Sequence, residues 1–582
     1  MKAHSMPSNS LDRLVTRLDQ AKTLFGPGDA APVEKMLETV SRRQFRDVDS
    51  LLRFHEILLF LASHPHNARV LHLTEQLLSS FVDRVVRLRS SGADLYPLDY
   101  IENSGLAGTA ISGTYSYGIA CWLVRRHPAS VDIDWERFEK RERLGATLPR
   151  FLPLLNDDSL VEANVPYREW LRAAMGRESR ALEWLIQRFQ RMDVGEEQKA
   201  ELYDSLVLPI RWELGNGPAS RTLLKCPVRR VYYHRGRLLR RSDVELAEGF
   251  AGQGVPLQRL SIKAGEKILD TTRTATTVRY RELYGITHGC PQSVVKADVG
   301  RGVEIFLWGL PVEHRLPLRS YHAGITLKNG VPINYIEAIS LFERTEVGFN
   351  TFYTFRDGES AWVYAQVLGL LNRLLGVTCI SVDPYQVGFN NDEAIESGAF
   401  WFYRKLGFRP TVAEIARAAG AEDKKIKTRP GYRSSVQTLR RLSRGNVVYE
   451  APGSDGGAWD RFHIRNLGLA VQRRMAESFA GEAVAIRHAT SEAVARSIGA
   501  TTDDWELPQR RAYENLALVL GLIPDLADWE KSEKENIVRI IEAKSGRDES
   551  HFLRLLQQHS RLRDLVIRLG SAPVGGGDPG EG

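Results

Sequence analysis

A chain of 582 residues is longer than one hydrophobic core supports, because single domains stop growing at roughly 250 to 300 residues, so several folded units are expected. Hydrophobic residues at 43% and charged residues at 26% supply enough apolar surface for packed cores, which excludes both a largely disordered chain and a membrane-saturated one. The basic excess, 79 Lys and Arg against 72 Asp and Glu, suits anionic ligands but is too mild to argue for nucleic acid.

The four cysteines, Cys121, Cys226, Cys290 and Cys379, stand far apart without metal-ligand or disulfide spacing, so no metal site is expected and a reducing cytoplasm fits. The longest apolar stretch, Ile57 to Ala62, falls far short of the roughly 20 residues that span a bilayer, and the N-terminus has no apolar signal core, so neither export nor membrane insertion is expected.

From Leu11 to about Arg126 apolar residues recur at helical spacing, as in Leu51, Leu52, Phe54, Ile57, Leu58 and Leu61, which predicts a mostly α-helical region over 1–150. Within it the glycine-rich patch Gly105, Gly108, Thr109, Ser112 and Gly113 could approach a ligand, but it lacks the lysine of a phosphate loop and reads better as a turn. Residues 151–255 read as a helical and mixed connection, with helices from Tyr167 to Leu206 and a short arginine-studded strand pair over Val228 to Leu239.

Over 256–412 the texture changes. A short strand runs to Ile262, a helix follows through Ile268 and Leu269, and extended runs are expected at Val303–Trp308, Tyr321–Leu327, Val331–Phe342 and Val347–Phe355, all rich in aromatic and β-branched residues. Asn329-Gly330 between two of these runs predicts a two-residue hairpin, since a type I′ turn needs positive φ at both central positions. A helix over Ala361–Leu375, a strand over Val377–Val382 and a second helix ending at Leu406-Gly407-Phe408 complete the segment, with Gly407 as a left-handed cap. Residues 413–457 read as a basic linker, 458–571 as a C-terminal α-helical region, and 572–582 as a disordered Gly/Pro tail.

The loop Thr354-Phe355-Arg356-Asp357-Gly358-Glu359-Ser360-Ala361 lies between an aromatic strand and a helix. The unpaired N–H groups of a helix's first turn attract anions, Gly358 lets a ligand approach, and Arg356 can add a charge-assisted contact. Taken alone, the loop reads far better as an ordinary helix start capped by Asp357 or Ser360.

Further on, Phe402-Tyr403-Arg404-Lys405-Leu406-Gly407-Phe408 resembles the F-Y-x-K-L-G-F run that closes the core of the GNAT superfamily of N-acetyltransferases. The resemblance covers about Leu257 to Pro410, with its informative part at Phe349 to Pro410. It implies an α+β (mixed) fold, a GNAT-like acyl-CoA N-acyltransferase core, set between the large α-helical N-terminal and C-terminal regions read above, which the resemblance does not cover. It further implies a sheet splayed open between the strand before Arg356 and the strand at Val377, with acetyl-CoA or another acyl-CoA as co-substrate in the cleft. The cofactor-binding residues it implies are Tyr353, Arg356, Gly358, Glu359, Ser360, Ala361 and Asn391. Two departures stand out: the family's Q/R-x-x-G-x-G/A loop is shortened by one residue, and the spacing from Asn391 to Tyr403 is stretched.

In the family a tyrosine matching Tyr403 protonates the departing thiolate of CoA; otherwise Tyr403 belongs to an aromatic patch with Phe400, Trp401 and Phe402. Glu337 is the candidate base, because strand alternation puts it on one face with Ile333, Tyr335, Ile339 and Leu341, where a carboxylate is desolvated and made more basic. Glu343 and Glu346, beside a turn, read as solvated, and Cys379 reads as a small buried hydrophobe rather than an acyl acceptor.

Direct acyl transfer to an amine-bearing acceptor, small molecule or protein, is therefore the expected chemistry, with Glu337 as base and Tyr403 as acid. The competing expectation is a non-catalytic acyl-CoA-binding scaffold that meets a protein partner through its helical regions. A nucleic-acid partner for the basic run Lys424 to Arg444 is the weakest reading.

Overall fold

Side-chain caps open the early helices where the sequence supplies Asp and Asn. Asp47 accepts from the Ser50 amide and Asn67 from the Val70 amide, which satisfies otherwise unpaired donors of the helices Val48–Ser63 and Ala68–Ser79. The computed structural model describes residues 10–176, 180–251, 254–454, 456–502 and 504–572, and over these the protein is mixed α/β, in two compact units.

The first unit takes Met1–Leu238, Glu266–His288 and Leu327–Ile333. Besides its helices it contains a small antiparallel sheet of β1 (Ala110–Thr114), β2 (Val131–Ile133) and β3 (Pro209–Glu213), with β3 central. Trp122, Leu185, Phe189, Ile210 and Trp212 form part of the core against which this sheet packs.

The strand pair expected over Val228–Leu239 does not form. That backbone is satisfied by other groups: the Tyr232 amide donates to Asn329 Oδ1 at 2.8 Å, Asn329 Nδ2 donates to the Tyr232 carbonyl at 3.0 Å, and the His234 amide donates to the Pro65 carbonyl at 3.1 Å. A chain whose polar groups are already paired gains nothing from a ladder.

The second unit takes Leu239–Gly265, Gly289–Thr326 and Asn334–Gly582. Its strands are β4 (Gln258–Arg259), β5 (Val295–Asp298), β6 (Val303–Gly309), β7 (Ser320–Lys328) and β8 (Val331–Leu341) except for their hairpin end Leu327–Ile333, which counts with the first unit, and β9 (Arg344–Thr351), β10 (Cys379–Val382), β11 (Arg409–Pro410) and β12 (Val447–Glu450). They form one mixed sheet in the order β11-β12-β10-β9-β8-β7-β6-β5-β4. Asn329 and Gly330 take φ of 48° and 82° in the β7–β8 turn, as a two-residue primed hairpin requires.

Two expectations change here. The strand drawn to Phe355 stops at Thr351 and gives way to a tight turn over Tyr353–Phe355. The segment 413–457 is not a linker: it folds as helices Ala413–Thr428 and Val436–Leu442, followed by β12, which lies between β10 and β11 and runs antiparallel to both. Its basic run is partly neutralised by Lys425–Glu422, Arg440–Asp392 and Arg441–Glu414 pairs.

Six helices fill the described part of 458–571, from Ile464–Phe479 to Ser560–Ser571. Residues 1–9, and 573–582 of the expected tail, lie outside the described residues. Among the described residues no helix is long and apolar enough to cross a membrane.

Candidate active site

The helix Ser360–Leu375 connects β9 to β10, which run parallel. Val363, Val367, Leu368, Leu370, Leu371 and Leu375 are sealed from solvent on it, each contributing about 1.5 to 3 kcal/mol of burial, and they fix the helix against the sheet.

Parallel pairing of β9 with β10 covers Arg344 to Glu346 against Cys379 to Ser381 and then lapses. β9 continues to Thr351 in register with β8, while β10 turns away at Val382 into Asp383-Pro384, where Asp383 caps the Tyr385 amide. Beyond Glu346 the outer edge of β9, from Val347 to Thr351, has no strand partner among the described residues, because β10 ends at Val382.

Glu337 lies opposite Gly348 on one face of the sheet, together with Tyr335, Asn350 and Glu346. The Tyr321 hydroxyl donates to Glu337 Oε1, and Asn350 Nδ2 donates to the Tyr335 hydroxyl at 2.8 Å. Burial raises the Glu337 carboxyl above its ordinary range, with the Tyr321 hydrogen bond pulling the other way.

The opposite face carries Phe349, whose ring centroid is 4.9 Å from that of Tyr364 on the connecting helix. Tyr403 stands next, with centroids 5.8 Å from Tyr364 and 5.5 Å from Phe408. It is 4% exposed, and burial holds its phenol well above the usual tyrosine range. Tyr403 and Glu337 thus belong to opposite faces of the sheet. Gly407 takes φ of 99° after the Tyr403 helix, the left-handed stop its sequence predicts.

The loop residues divide by role. The helix Ser360–Leu375 has no side-chain cap at its start. The Gly358 amide donates to the Phe355 carbonyl at 3.0 Å, so it is committed within the turn. Arg356 pairs with Glu393 at 2.5 Å and lies over the Tyr353 ring at 5.6 Å; this pair is exposed, and exchanging it for another anion costs about 1 kcal/mol or less. Tyr353 is off the strand and 77% exposed, with its carbonyl accepting from the Arg356 amide.

Glu359 and Asn391 hold structure rather than face a ligand. The Glu359 carboxylate is buried, bound by Arg301 and by the Leu239 amide at 3.0 Å. Asn391 Oδ1 accepts from the Ala394 amide at 3.1 Å, capping the helix Asp392–Ser397, and this cap places Glu393 beside Arg356. Ser360 and Ala361 stand in the first turn as expected.

Glu343 is not a solvated turn residue: it accepts from Trp459 Nε1 at 2.6 Å and from Arg563 Nε at 2.8 Å. Burial pushes the Cys379 thiol up to about 12, which keeps it protonated and unsuited to accept an acyl group.

Two residues escape a sequence reading. Tyr364 is fully buried with a hydroxyl that has no hydrogen-bond partner among the described residues; its signal is a lone tyrosine on an otherwise aliphatic helix face. Tyr321 carries no signal, because its pairing with Glu337 depends on strand register.

No family model matches the chain, and neither the curated proteins nor the solved structures yield a match.

Proposed function

We propose that the β9–β10 segment binds an acyl-CoA and transfers its acyl group to an amine. The observation that carries this reading is the short pairing of two parallel strands joined by an uncapped helix, which leaves the edge of β9 beyond Glu346 unpaired among the described residues, with Tyr403 and Glu337 on the two faces of the sheet there. A thioester bound there meets the unpaired edge of β9, whose amides can polarise its carbonyl. Glu337, desolvated and therefore more basic, takes the proton of the attacking amine. The C–N bond forms as the C–S bond breaks, and Tyr403 supplies the proton to the departing sulfur. The uncapped first turn over Ser360 and Ala361 and the Arg356 guanidinium hold the cofactor's phosphates.

The resemblance of Phe402 to Phe408 to the GNAT run supports the same reading from sequence. Release of free thiol from acetyl-CoA with a panel of amines tests it: turnover that falls in Tyr403→Phe and Glu337→Gln supports the scheme, and wild-type turnover unaffected by either substitution rejects the assigned roles.

A second reading, acyl-CoA binding without catalysis, is favoured by the burial of Tyr403 against Tyr364 and Phe408, which suits a packing role. Saturable acetyl-CoA binding with no thiol release across the panel selects it.

A further inference from the structure

The glycine-rich patch at Gly105 to Gly113 is not only a turn. Its Thr109 and the first residues of β1, Ala110 to Ser112, form one wall of a cavity of about 150 Å³ within the first unit, lined also by Arg89, Asp99, Arg137, Arg211 and Tyr280, with Leu95, Leu98 and Ile111 as its apolar part.

The wall presents donors. β1 is an edge strand, bonded to β3 through alternate residues. The Leu214 amide donates to the Thr109 carbonyl at 3.0 Å, while the Ser112 amide turns outward and donates to the Tyr280 hydroxyl at 3.1 Å. Alternation turns the Ala110 amide the same way, toward the cavity that Ala110 lines. The Tyr280 hydroxyl accepts that bond, and its own hydrogen has no acceptor among the described residues. Gly113 keeps this arrangement close, since a side chain there would stand 3.1 Å from the Tyr280 ring.

The arginines are only partly engaged. Arg89 donates from Nη2 to the Gly108 carbonyl at 3.1 Å, Arg137 from Nη2 to Asp99 at 3.3 Å, and Arg211 from Nε to Glu213 at 2.7 Å. A guanidinium offers five N–H groups, so each keeps several for a ligand. Of the nearby acceptors, Asp99 already faces Arg137, and Asp134 accepts from the Ser112 hydroxyl at 2.6 Å and from the Glu136 and Arg137 amides. Three guanidiniums with unused donors thus face a lining that holds one carboxylate, Asp99, already turned on Arg137.

We propose that this cavity binds a small oxyanion, a carboxylate or phosphate monoester, carried on a ring-sized apolar body. The guanidiniums, the Tyr280 hydroxyl and the Ala110 amide receive the oxyanion, and Leu95, Leu98 and Ile111 receive the body. The volume matches the scale of an engineered apolar cavity of about 150 Å³ that holds benzene. The proposal is independent of the acyl-transfer reading, and the probes below contain no thioester.

Calorimetric titration of the full chain with benzoate, phenyl phosphate and benzyl alcohol at low salt tests it. Saturable binding of an anionic probe, absent for benzyl alcohol, is expected, and the tighter of the two anions identifies carboxylate or phosphate. Arg89→Gln and Arg211→Gln, checked for folding by circular dichroism, should each weaken binding by roughly tenfold, the loss of one charge-assisted bond. Because both side chains are exposed, at least one variant is expected to fold. The proposal is overturned if neither anion binds, if benzyl alcohol binds as well as benzoate, or if affinity is unmoved in the folded variants.

Discussion

Tyr321 on β7 donates its hydroxyl proton to Glu337 Oε1 on β8, tying the candidate base to a residue 16 positions away in the chain. The bond favours the charged carboxylate, while burial favours the neutral acid and prevails. Removing it in Tyr321→Phe should raise the Glu337 carboxyl further, shifting the acidic limb of the acyl-transfer pH profile to higher pH; an unshifted limb shows that Tyr321 does not tune Glu337.

The same carboxyl makes a stability prediction. Its folded pKa lies above the ordinary glutamate value of 4.5, so the folded state binds more protons and its contribution declines as pH rises from that value through the folded pKa. Glu337→Gln lacks this loss. The melting temperature of the variant relative to wild type should therefore rise with pH across that window, and a flat difference contradicts the burial argument.

Tyr403→Phe keeps the aromatic packing against Tyr364 and Phe408 and removes only the hydroxyl. Acyl transfer should fall about a hundredfold or more, the scale of a lost general acid, while the melting temperature changes little. A large melting shift with unchanged turnover would make Tyr403 a core residue.

Glu359→Ala leaves the Arg301 guanidinium beside a sealed position without its carboxylate and orphans the Leu239 amide. The expected loss is about 3 kcal/mol, read as a lower denaturant midpoint of the second unit. Cofactor affinity reduced beyond what partial unfolding explains would instead return Glu359 to the binding loop.

Asn329→Ala removes buried bonds to the Ser63 and Tyr232 carbonyls and the Tyr232 amide, and it puts alanine at φ of 48°. The expected cost is about 3 kcal/mol, and Asn329→Gly should recover only the backbone share.

These cases mark what the sequence makes legible. Local patterns are strong where one residue type answers one backbone demand: Asn329-Gly330 marks the hairpin, Gly407 the helix stop, and β-branched and aromatic runs the strands of the sheet. Long-range pairing is not written locally. The four residues of β12 sit behind a basic run that reads as linker, yet β10 requires a partner on its second edge and takes them. The Arg356 to Ala361 loop shows both limits, because nothing in its composition reveals that Arg301 holds Glu359 or that Glu393 meets Arg356. Val228–Leu239 has strand-forming residues but bonds to Asn329 and Pro65 instead.

Acyl-CoA binding at the β9–β10 segment is the proposal on which the other roles depend. Calorimetric titration of the full chain with acetyl-CoA tests it most directly: saturable one-to-one binding, weakened in Arg356→Gln, is the predicted result. Absence of binding at near-millimolar acetyl-CoA would contradict it.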